Sequence, residues 1–131
     1  MDALVRAALA ARAQAYAPYS RFAVGAALRC EDGTVHAGCN VENAAYPQGS
    51  CAEAGAISAM VLAGGRRIAE IVVAGSGAEP CTPCGGCRQR LREFGTAELL
   101  VRVVDEHGEE KLRSRLGALL PHSFGPDNLA R

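Results

Sequence analysis

The chain has 131 residues, 49% hydrophobic and 21% charged, with 14 basic and 14 acidic side chains and a formal net charge of zero. That length predicts one domain spanning residues 1–131 around one buried core. The neutral balance argues against a long nucleic-acid partner, which leaves a basic footprint, and no apolar run approaches the roughly 18 residues needed to enter and cross a membrane.

At the start, Leu4, Ala8, Ala11 and Ala15 form one stripe of a helix that Asp2 can cap and that ends near Pro18. This opening reads as a domain helix rather than a targeting segment, and no secretory signal is visible. A cytoplasmic location is therefore expected, where six cysteines are thiols or metal ligands rather than disulfides.

Between Arg21 and Cys30, Phe22, Val24, Ala26 and Leu28 alternate with their neighbours, which is a strand period. Glu31-Asp32-Gly33-Thr34 reads as a hairpin turn leading to a second strand, Val35 to Val41. A loop from Asn43 precedes Ser50, which can cap a helix from Cys51 to Leu62 closed by Gly64-Gly65. The apolar run Ile71 to Ala74 fits a strand buried on both faces. A third helix follows from Cys84 to Phe94, stopped by Gly95, then a second buried-type strand from Leu99 to Val104. His107-Gly108 marks a turn, with an extended piece near Lys111 and a short apolar turn at Leu116 to Leu120. The order α-β-β-α-β-α-β plus a fifth extended piece predicts an α/β layer structure, a mixed sheet with helices packed on it.

Cys51, Cys84 and Cys87 stand at predicted helix N-termini, and the last two, three apart, share one face of a first turn. A helix N-terminus favours a thiolate, the form that binds zinc, and three ligands with an open fourth position is a catalytic pattern. Taken alone, Pro83-Cys84-x-x-Cys87 also admits a redox pair or structural thiols. Glu53, two residues past Cys51, does not share its helix face, which places it beside a metal rather than on it. It is either a general acid/base or a first-turn glutamate serving the helix dipole. Asn40 and Glu42, two apart on an extended segment, point to the same side. They can hydrogen-bond sugar hydroxyls or simply be polar residues entering a turn. Phe22 by itself reads as a core aromatic.

Cys51-Ala52-Glu53 with Pro83-Cys84-Gly85-Gly86-Cys87 resembles the zinc nucleobase deaminase signature in its all-cysteine form. The likeness extends further. Ala17-Pro18-Tyr19-Ser20 with Phe22-Ala23-Val24-Gly25-Ala26-Ala27-Leu28 resembles the opening of the small, tetrameric cytidine deaminases. So do Gly38-Cys39-Asn40-Val41-Glu42-Asn43-Ala44-Ala45-Tyr46-Pro47, Cys87-Arg88-Gln89, and Leu119-Leu120-Pro121 with Phe124.

That resemblance implies a three-layer fold, a mixed five-stranded sheet with helices on both faces. It implies one Zn2+ per subunit on Cys51, Cys84 and Cys87, with Glu53 moving protons between water, N3 of the base and the leaving amine. It further implies that Asn40 and Glu42 hold the ribose, that Phe22, Ala52 and Phe124 contact substrate, and that Phe124 reaches a neighbouring subunit's site in a homotetramer. The expected reaction is hydrolytic deamination of cytidine and deoxycytidine in pyrimidine salvage. The partner is a small nucleoside, not a nucleic acid or a membrane.

One departure stands out. Three-cysteine members usually carry arginine directly after the glutamate, whereas this chain has Ala54. Three thiolates outweigh the charge of one Zn2+, so a less acidic zinc water is expected unless another cation substitutes, with Arg88 the candidate by proximity. Ala54 also leaves room for a modified nucleoside or other aminopyrimidine as substrate. A polynucleotide editor would need a basic, aromatic-lined groove, and a non-catalytic zinc module would not need Glu53. Cys81 reads as a bystander thiol, Cys30 and Cys39 as small core residues, and Arg88, Arg90 and Arg92 as a solvated face.

Overall fold

The computed structural model describes residues 1–130. Its elements run α1 (Ala3–Arg12), β1 (Gly25–Cys30), β2 (Val35–Cys39), α2 (Ala52–Leu62), β3 (Ile68–Ala74), α3 (Gly85–Phe94), β4 (Leu100–Val104), β5 (Glu110–Arg115) and α4 (Leu116–Leu119), with short 3-10 turns at Tyr46–Gln48 and Pro126–Leu129. The five strands lie in the order β2-β1-β3-β4-β5. Only β3 and β4 pair in parallel, joined by the crossover through α3, and the other neighbours are antiparallel.

The pleat sorts side chains into two cores. Ala26, Leu28, Ile71, Val73 and Val101 face one side and pack with Ala52, Ala56, Ile57 and Met60 of α2 and Leu91 of α3. Ala27, Val72, Ala74 and Val104 face the other side, under Leu4, Val5 and Ala8 of α1. The sheet is thus sandwiched between α1 and the α2/α3 layer, the three-layer arrangement expected. Within central β3, Ile71–Ala74 is buried on both faces, and for that reason this stretch is continuously apolar rather than alternating.

Strand β3 starts at Ile68 rather than Ile71 and β2 ends at Cys39 rather than Val41, and two further boundaries shift for a visible reason. Asp2 does cap α1, accepting from Val5 N at 2.9 Å, but the helix stops at Arg12 rather than near Pro18. Beyond it the backbone is drawn into a bridge with Val41, Tyr16 N donating to Asn40 O and Glu42 N to Tyr16 O. Likewise β1 starts at Gly25, not Arg21, because the Asn40 side chain takes over the preceding backbone. Its Oδ1 accepts from Val24 N at 2.9 Å and its Nδ2 donates to Phe22 O at 2.8 Å. Both shifts are tertiary hydrogen bonds overriding local pattern.

Helix α2, whose N-terminus carries part of the site, is positioned by close packing. A Cβ at Gly38 of β2 would fall 2.6 Å from Ala52 O and 2.7 Å from Gly55 C, and into Ala56 N. The missing side chain lets α2 lie directly on the strand, which fixes the depth of the helix's N-terminus.

Candidate metal centre and active site

Two loop-to-helix junctions build the site. Cys51 immediately precedes α2 and Cys84 immediately precedes α3 as their N-caps, both with extended backbone. Ser50 is therefore not the cap. Cys87 sits in the first turn of α3, fully buried. The three sulfurs lie within 4.8 Å of one another. Sulfurs about 2.3 Å from a tetrahedral zinc stand about 3.8 Å apart, so this cluster needs little movement to hold one ion and leaves a fourth position open. Cys81 is not part of the cluster; its Cβ packs against Gly75.

The surroundings of the sulfurs are unequal. The Cys87 backbone N–H pulls the Cys84 thiol below its usual range. Burial pushes the Cys51 and Cys87 thiols up, and in both the neighbouring Glu53 carboxylate pushes the same way. A cation at the centre would relieve both.

Glu53, in the first turn of α2, is only 4% exposed. Burial raises its pKa even though its own backbone N–H, the Cys87 thiol and the Arg90 guanidinium all pull it down. A carboxyl group so placed, beside a metal cluster and away from bulk water, is suited to carry a proton rather than merely to serve a helix dipole.

Of the α3 arginines expected to form a solvated face, Arg90 is exposed, whereas Arg88 and Arg92 are half-buried and bonded. Arg88 donates to Pro83 O at 2.7 Å and Leu119 O at 2.8 Å, bracing the cysteine loop against α4, so it is not the cation at the sulfurs. That place belongs to Arg90, whose NH1 lies 3.5 Å from Cys87 Sγ. Arg92 bonds Ser123 and Asp127. The i to i+3 spacing that pairs Cys84 with Cys87 also pairs Cys87 with Arg90, a signal present in the sequence but not used there.

Asn40 and Glu42 both turn toward the Tyr19–Val24 segment. Glu42 accepts from Tyr19 N at 3.0 Å, Ser20 N at 3.1 Å and Ser20 Oγ, which hold its carboxyl below the usual range. It borders a cleft of about 350 Å³ lined with Tyr19, Ser20, Asn43, Tyr46 and Gly49. The volume falls in the range of small-molecule sites, and the cleft opens beside Glu42 rather than over the sulfurs. Phe22 is 42% exposed, its ring against Gly75 and next to Cys81. Ala52 is buried in the core, leaving only its backbone to meet a ligand. Phe124 is exposed, its carbonyl tethered by Gln89 Nε2 at 2.8 Å.

Residues 1–103 match the family model described as the cytidine and deoxycytidylate deaminase zinc-binding region. The chain belongs to that family. A cytidine deaminase of Mycobacterium tuberculosis is 45% identical over 122 residues, covering 92% of this chain and 86% of that protein. One from Sporosarcina psychrophila is 38% identical over 130 residues, covering 99% and 95%. Among solved structures, the cytidine deaminase of Burkholderia pseudomallei superposes with a TM-score of 0.87 at 47% identity, covering 93% of this chain and 97% of that one. Family membership and the three-sulfur cluster together make zinc the metal of this centre.

Proposed function

We propose that this chain hydrolyses the 4-amino group of cytidine and deoxycytidine, giving uridine or deoxyuridine and ammonia. The observation that carries this reading is the buried Glu53 carboxyl beside the Cys51, Cys84 and Cys87 sulfurs, in a chain similar over nearly its whole length to cytidine deaminases.

Cys51, Cys84 and Cys87 would hold the zinc. When bound, the ion lowers the pKa of a coordinated water from about 15.7 toward neutrality. Glu53 accepts a proton on its carboxylate as water adds to C4 and passes it to N3. It then takes the remaining proton of the new C4 hydroxyl and delivers it to the amine, which departs as ammonia and leaves the C4 carbonyl. Its burial keeps these transfers away from bulk water. Asn40 and Glu42 are oriented by the Tyr19–Val24 backbone, so their remaining lone pairs and N–H can receive ribose hydroxyls without reorganising. Phe22 flanks the base, and the backbone at Ala52 faces it from the start of α2.

The exposed Tyr16, Tyr19, Phe22, Val41, Tyr46 and Phe124 side chains support a shared site in a homotetramer, with Phe124 reaching a neighbouring subunit. A single domain over residues 1–131, working in the cytoplasm in pyrimidine salvage, completes the reading. Ala54 favours one alternative, a modified nucleoside or other aminopyrimidine as substrate, because it leaves space directly after the glutamate.

The test follows cytidine absorbance in the ultraviolet with zinc-loaded protein and Glu53→Gln. Conversion to uridine that disappears in a variant still holding zinc supports both reaction and residue. No conversion by the parent, with zinc bound, overturns cytidine as substrate.

A further inference from the structure

We propose that Arg90 is a positioning residue of the metal centre, holding the Cys87 sulfur and offsetting the surplus negative charge of three thiolate ligands. The inference rests on the zinc reading above and adds a residue to it. Three thiolates around a divalent ion carry a net charge of minus one, and a guanidinium N–H directed at a ligand sulfur is a charge-assisted bond that draws electron density from it.

Three features of the geometry single out Arg90. Its NH1 lies 3.5 Å from Cys87 Sγ, and Cys87 is fully buried, so the sulfur has little access to water for the same purpose. The guanidinium rests over Gly86, where a Cβ would stand 3.3 Å from Arg90 NH1 and 3.9 Å from Cys84 Sγ. The absent side chain at Gly86 leaves this approach of the guanidinium to Cys87 uncrowded. Among the described residues no carboxylate lies within ion-pair distance of Arg90, although its charge also acts on Glu53, whereas Arg92 is bound to Asp127. The other arginines nearby are committed elsewhere, Arg88 to the Pro83 and Leu119 carbonyls and Arg12 to Ala23 O and Ser76 Oγ. Ala54, directly after Glu53, contributes no charge.

This explains how the chain manages without a basic residue after its glutamate: the cation enters from α3 instead of α2. The contact of Arg90 is with a ligand sulfur. Its influence passes through Cys87, and the readout therefore belongs on the metal–sulfur bond.

The experiment compares the parent with Arg90→Met, which keeps length without charge or donor, and Arg90→Lys, which keeps the charge. Each is loaded with Co2+ and its thiolate-to-cobalt charge-transfer band recorded; zinc affinity is measured by competition with a chromophoric chelator. In Arg90→Met the band moves to longer wavelength, because an unbridled sulfur is a better donor, while the tetrahedral ligand-field envelope stays. Zinc affinity falls by roughly 10- to 100-fold, the usual effect of removing a partner of a metal ligand, and Arg90→Lys recovers most of it. On cytidine, kcat falls with KM little changed. An unmoved band with unchanged zinc affinity in Arg90→Met overturns the proposal, as does a loss that Arg90→Lys shares in full. Protein that binds cobalt but leaves cytidine intact would defeat the substrate reading alone, because the spectral comparison needs no substrate.

Discussion

Replacing Gly38 with alanine tests whether the packing of β2 against α2 sets the depth of the metal centre. The new methyl would start 2.6 Å from Ala52 O and 2.7 Å from Gly55 C, and into Ala56 N as well. These are backbone atoms of α2 and cannot swing aside. Ordinary carbon contacts begin near 3.5 Å, so the helix must retreat from the strand by about 1 Å. Overpacking of this kind costs about 1–3 kcal/mol, and the relief of glycine's extra unfolded-state entropy returns about 0.5–1 kcal/mol at most. The consequence for chemistry is larger. Cys51 and Glu53 ride on the first turn of α2, whereas Cys84 and Cys87 belong to α3, so the retreat opens the sulfur triangle. A 1 Å misplacement of a catalytic group costs on the order of a hundredfold in rate. Urea unfolding, zinc retention through gel filtration and cytidine turnover measure the three effects on one preparation. Stability within about 0.5 kcal/mol of the parent, with full zinc and undiminished turnover, would refute the argument that this contact positions the site.

Zinc removal and acid each give a further expected outcome. Stripping zinc with a chelator lowers the unfolding temperature and readdition restores it, since a ligand at a hundred times its Kd stabilises the fold by about 2.7 kcal/mol; an unfolding temperature indifferent to zinc would contradict a site that forms only in the folded chain. Asp2 is held down from 3.8 to about 2, first by its hydrogen bond from Arg102. A depressed carboxyl stabilises the fold above its ordinary pKa and ceases to as pH falls through its folded value. Because Asp2 is half exposed, the contribution is under about 1 kcal/mol. The stability gap between the parent and Asp2→Asn is therefore expected to be full above pH 3.8 and to close toward pH 2, as thermal melts across that range would record; a gap that ignores pH would remove Asp2 from the account.

Much of this protein was determined by local rules acting on the chain. Asp2 caps α1 because a carboxylate before an apolar stripe finds a free N–H. Gly33, at φ 89°, closes the hairpin between β1 and β2 where the turn requires a left-handed residue. The run from Ile71 to Ala74 is a buried strand because water is absent from both its faces. The pairing of Cys84 with Cys87 follows from helical geometry alone. Tertiary structure decided what distant segments do to one another. Helix α1 ends early because Asn40 and Val41, far along the chain, claim the backbone after it. Asn40 replaces the first part of a strand with side-chain bonds that no period can announce. The sulfur of Cys51 joins those of Cys84 and Cys87 only because α2 and α3 pack on the same face of the sheet. Arg88 and Arg90 are near neighbours in sequence, yet one braces a loop and the other meets a ligand sulfur. The direction each takes depends on where carbonyls and thiols lie after folding, and only the packed structure supplies that.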